Sequence, residues 1–99
     1  MRNDRILCSA IYIQNKNIEM THSPLNVEKG IVICGRRHCD CLEVISLLPK
    51  NIIKGHKQIQ GFITKDNYFV NREIAKYIAV NASQCEDDGK SMLFSEDLY

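Results

Sequence analysis

A chain of 99 residues that is 44% apolar and 25% charged has the make-up of one ordinary globular domain. Its 13 basic and 12 acidic side chains leave a net charge of +1, which argues against general binding to a nucleic-acid polymer. No apolar run approaches the roughly 20 residues of a membrane span, and the opening Met-Arg-Asn-Asp-Arg lacks a signal-peptide pattern, so the chain reads as cytoplasmic with no membrane partner.

Ile6 to Ile13 is rich in β-branched and apolar residues and predicts a strand. The polar cluster Gln14-Asn15-Lys16-Asn17 predicts a turn that closes a hairpin onto a weak strand, Ile18 to Thr21. Ser23-Pro24 and the polar stretch to Gly30 read as a loop. Ile31 to Cys34 reads as a buried strand broken at Gly35, where Arg36, Arg37 and His38 follow at once. Cys41, Val44, Ile45 and Leu48 then recur at helical spacing, which predicts a helix from about Arg37 to Leu48, stopped by Pro49. Lys50 to Lys57 reads as a basic surface loop.

Ile59 to Thr64 and Tyr68 to Val70 flank Lys65-Asp66-Asn67, the pattern of a hairpin with a short loop. Asn71 is placed to cap a second helix, Arg72 to Ala82, with Ile74, Tyr77, Ile78 and Ala82 on one face. Cys85 to Lys90 is a polar loop, Met92 to Phe94 a candidate short strand, and Ser95 to Tyr99 a tail. Tight hairpins interleaved with two helices favour an α+β fold with a small, mostly antiparallel sheet in a single domain over a doubly wound parallel sheet.

The strand–turn–helix junction at Gly35-Arg36-Arg37-His38 carries the strongest chemical signal. A helix N-terminus offers free backbone N–H groups and a positive dipole end, and two guanidinium forks beside it make the ingredients of a phosphate site. The plainer reading is a solvated arginine pair. Arginine at a helix N-terminus is mildly unfavourable for the dipole, which favours the functional reading.

Cys34, His38, Cys39 and Cys41 invite a zinc reading. Cys39 and Cys41 point nearly opposite ways on a helix, and no second hook accompanies them, so core thiols are preferred and no metal is assigned. The five cysteines are an odd number for a disulfide framework and read as reduced thiols.

The junction of the second hairpin and second helix gathers Phe62, Thr64, Lys65, Asn71 and Arg72. One reading puts the aromatics in the core, makes Asn71 a cap and leaves Arg72 solvated. The sharper one stacks a base on Phe62, a contribution of about 1–3 kcal/mol per base, with Asn71 and Arg72 on ribose or phosphate. Catalysis has little support. No nucleophile elbow, Walker loop or dinucleotide fingerprint occurs, and nothing selects among Cys39 or Cys85 with His22 or His56. No catalytic residue and no cofactor is expected.

Three phrases, Gly30 to His38, Gln60 to Glu73 and Leu93 to Tyr99, resemble small phage-borne and bacterial proteins of the Thoeris anti-defence group. These sponges sequester a cyclic ADP-ribose-type immune signal. The resemblance implies a non-enzymatic inhibitor of host defence that binds a glyco-cyclic ADP-ribose-type ligand, extending in some members to cyclic di- or trinucleotides. It implies homo-oligomers built on dimers, up to hexamers, in the host cytoplasm. Carried onto this chain, it has Arg36 or Arg37 hold phosphate, Phe62 stack on adenine, and Asn71 with Arg72 complete the pocket, alongside His38, Thr64 and Lys65. Competing readings are a small enzyme acting on a nucleotide or ADP-ribosyl bond and a zinc-binding interaction module.

Overall fold

The computed structural model describes residues 4–98; Met1, Arg2, Asn3 and Tyr99, the last residue of the tail, lie outside them. Four strands form one antiparallel sheet: β1 (Ile6–Ile13), β2 (Ile31–Gly35), β3 (Gln58–Thr64) and β4 (Phe69–Asn71). The spatial order is β2-β1-β3-β4, with β1 paired along both edges. Helices α1 (His38–Ser46), α2 (Lys50–Ile53) and α3 (Arg72–Asn81) and a 3₁₀ turn at Ser95–Asp97 complete the α+β fold.

The period-2 pattern of β1 explains the two layers. Ile11 and Ile13 point to one face and pack with Cys41 and Ile45 of α1. Ala10 points to the other and packs with Val32, Ile63, Phe69 and Val27 of the 14–30 segment. A register shift between Ile6 and Cys8 turns Ile6 onto the helix side, where Phe62, Ala75, Ile78, Ala79 and Leu93 meet it. Fully burying each of these larger side chains contributes about 1.5–3 kcal/mol. Of the apolar positions read at helical spacing, Cys41, Ile45 and Ile78 are buried, whereas Val44, Ile74 and Tyr77 are exposed.

The first expected hairpin is not formed. Residues 18–21 carry no strand, and β1 pairs instead with β2 across the whole 14–30 segment. Asn15 accounts for the difference. It is buried, its Nδ2 donates to the Ile52 carbonyl at 3.0 Å and its Oδ1 accepts from the Asn17 N–H at 3.0 Å, so the polar turn is tied to α2. That tie also explains why Lys50–Ile53 is one helical turn where a loop was expected. The first long helix ends at Ser46, two residues early, and the second at Asn81. Met92 to Phe94 is not a strand; Leu93 is a fully buried plug whose N–H donates to the Arg72 carbonyl at 3.0 Å.

Gly61 holds β3 against β4. A Cβ there would lie 2.1 Å from the Val70 carbonyl oxygen and 2.8 Å from the Phe69 ring, so only glycine fits this approach.

Candidate functional site: an arginine rim over a buried histidine

The strand–turn–helix junction forms as expected: β2 ends at Gly35, and Arg37 is the N-cap of α1. The free N–H groups expected there are partly taken. Asp40 accepts the Arg37 N–H at 3.1 Å, and the Ser95 hydroxyl oxygen accepts the His38 N–H at 3.1 Å. A residue 57 positions downstream thus caps the first helix.

His38 is buried rather than offered to solvent. Its Nε2–H donates to the Gly61 carbonyl at 2.7 Å, because a carbonyl can only accept. In the neutral ring Nδ1 is then the acceptor, and the Ser95 hydroxyl donates to it at 2.7 Å. The Ser9 hydroxyl meets the Ser95 oxygen at 2.8 Å and the Arg36 carbonyl at 3.2 Å. Burial pushes the His38 imidazole below its ordinary range, and the nearby Arg72 charge acts the same way; the Gly61 bond and the Glu96 carboxylate oppose them. The edge of the ring packs against Phe62, with centroids 4.9 Å apart and planes at 80°.

Arg72, the first residue of α3, closes the top of this knot. Its Nη2 donates to Gln60 Oε1 at 2.7 Å and approaches His38 Nδ1 at 3.4 Å. Its guanidinium carbon lies 4.8 Å from the centre of the Phe94 ring. The Nε–H is buried with no partner among the described residues.

The structure therefore brings His38 and Arg72 together, with Arg36 and Arg37 immediately before His38 in the chain. It separates the others. Phe62 is 0% exposed, so its ring offers no face to a base; the expectation of a stacking Phe62 is corrected to a core residue. Thr64 is equally enclosed, and its Oγ1 accepts the Tyr68 N–H at 3.2 Å, which closes the hairpin. Lys65 is exposed at the hairpin tip, roughly 13 Å along the strand from Gly61 at about 3.3 Å per residue. Asn71 spends its side chain as the cap of α3, its Oδ1 accepting the Ile74 N–H at 2.9 Å. Of the two arginines expected to be exposed, Arg36 is and Arg37 is half-buried.

Four participants were missed at the sequence level: Ser9, Gln60, Phe94 and Ser95. Phe94 and Ser95 belong to the closing phrase Leu-Phe-Ser-Glu-Asp-Leu-Tyr, the one signal that could have drawn attention to them. Their partners are remote in the chain, so no local period connects them.

A family model described as phage T4 y16D protein matches residues 5–99. The chain belongs to that phage protein family. No curated protein and no solved structure matches it. Among the described residues of this family member, no helix is long and apolar enough to cross a membrane. No group of three or more His, Cys, Asp or Glu side chains gathers there to hold a metal ion.

Proposed function

We propose that this phage protein is a binding protein that captures a cyclic ADP-ribose-type immune signal in the host cytoplasm and leaves it intact. The observation that carries the reading is the state of Arg72. Its guanidinium is fixed by Gln60 and the Phe94 ring, and its buried Nε–H has no partner among the described residues. A donor left in that state favours an anion that completes it, and its preset rotamer reduces the ordering cost of binding. Arg36 and Arg37 immediately precede the histidine it touches, which suits a ligand with more than one phosphate oxygen. Phe94, 36% exposed, takes over the aromatic role assigned earlier to Phe62. Leu47 and Tyr77 are exposed on the helix side and support a homo-oligomer.

Sequestration is preferred over the enzyme reading because the one hydroxyl–imidazole pair of the site is shut away. Ser95 is 3% exposed, and its oxygen is engaged by His38 and Ser9. Titration calorimetry with glyco-cyclic ADP-ribose, followed by heat release and chromatography, tests the reading. Stoichiometric binding, intact ligand on recovery and a loss of about tenfold or more in Arg72→Ala are expected. A cleaved ligand would transfer the chain to the enzyme class, and absence of binding would remove the signal altogether. The same titration with cyclic di- and trinucleotides defines the range of ligands.

A further inference from the structure

A large open feature lies on the other face of the sheet, away from the arginine rim. A cavity of about 760 Å³ is bounded by the end of β1, the 26–29 segment and the 55–57 turn that leads into β3. That volume falls within the range of small-molecule sites, roughly 300–1,000 Å³.

Its frame is rigid where it is built and unpaired where it is charged. The Tyr12 hydroxyl donates to the Lys29 carbonyl at 2.7 Å, and its ring packs edge-on against Phe69 at 5.6 Å. Asn26 is clamped twice to Phe69, donating to its carbonyl at 2.7 Å and accepting its N–H at 2.8 Å. Around this frame stand Lys16, Lys29 and Lys57. None of their ammonium groups makes a hydrogen bond or ion pair among the described residues. The single carboxylate in the wall, Glu28, pairs with none of them.

Three like charges from three separate segments line one concavity against a single carboxylate that pairs with none of them, which leaves a net positive site that an anion would complete. A lysine is a compact point charge with three donors, suited to phosphate oxygens. One phosphate cannot satisfy groups spread around a cavity of this size; a chain of phosphates can.

We propose that this cavity is an oligophosphate-binding site, taking a short phosphate chain either as an inorganic ion or as the tail of a nucleotide. The site is separate from the arginine rim and does not depend on it. Titration of the protein with tripolyphosphate and, separately, with ATP at physiological salt, followed by amide chemical shifts, tests it. Saturable binding is expected, with shifts at Tyr12, Gln14, Asn26 and residues 55–57. Each of Lys16→Ala, Lys29→Ala and Lys57→Ala should weaken binding by about tenfold, while Arg72→Ala leaves it unchanged. All three lysines are exposed, so the variants keep the fold and an unchanged Tm. Binding of both probes identifies the phosphate chain as the recognised part; binding of ATP but not tripolyphosphate, with the lysine variants still impaired, assigns the nucleotide source. No saturable binding of either, citrate binding as tightly as tripolyphosphate, or loss of binding in Arg72→Ala alone would overturn the proposal.

Discussion

The knot around His38 and the cavity around Tyr12 use polar side chains in opposite ways. In the knot, Ser9, His38, Ser95 and Gly61 answer one another at 2.7–2.8 Å inside a closed interior. In the cavity, charged side chains stand at an open wall and pair with nothing among the described residues. A satisfied buried network fixes which elements meet, because no other arrangement feeds every donor. An unsatisfied exposed cluster costs little in water and is left for something else to complete. Arg72 sits between these cases, one end committed to Gln60 and its Nε left without a partner.

The contrast breaks most severely at Phe62, which floors the knot. Phe62→Ala should cost about 3–5 kcal/mol, read by urea denaturation, because the sheet and helices around it cannot collapse into the gap. A cost near that of a surface change would mean that a ligand, not the core, had required the ring. Next comes Ser95→Ala, which deprives both the His38 N–H and Nδ1 of their partner; about 1–3 kcal/mol is expected. Stability unchanged in that variant would mean the closing segment caps nothing.

The smallest effect is in pH. His38 has its folded pKa depressed by burial, below the unfolded value of about 6.5. The unfolded chain therefore takes up the proton more readily, and the stability His38 contributes is full above about pH 6.5, falls as pH drops through that value, and levels once the folded ring also titrates. His38→Gln should flatten this part of the profile. An identical slope in both proteins would place the titration elsewhere. The three lysine variants of the cavity should leave all three of these curves unmoved, which is the sharpest form of the contrast.

Local chemistry made much of this legible. The run Ile31 to Cys34, the break at Gly35 and the apolar spacing of Cys41 and Ile45 are short-range signals, and all three became structure, although the strand expected to be buried is a sheet edge with only Val32 buried. Asn71 reads as a cap because its reach is three residues, to Ile74. The errors arose where the partner is remote. The turn at Asn15 imitates a hairpin until Ile52 is known to take its amide, and Phe62 looks like a stacking ring until α3 and Leu93 close over it. Ser95 is a tail residue in the sequence and a helix cap in the fold, and no periodicity spans that distance.

That last arrangement makes the helix layer depend on residues remote in the chain. The start of α1 is made early, yet its first N–H waits for a hydroxyl more than fifty residues later, and Leu93 must arrive before the layer beneath α3 is filled. Without those residues the sheet keeps its strand pairings but the helix layer has no lock. A chain deprived of the 93–95 segment would leave Ile6, Phe62 and Ile78 without that cover, so the strap that locks the helix layer also shields the core from proteases and aggregation.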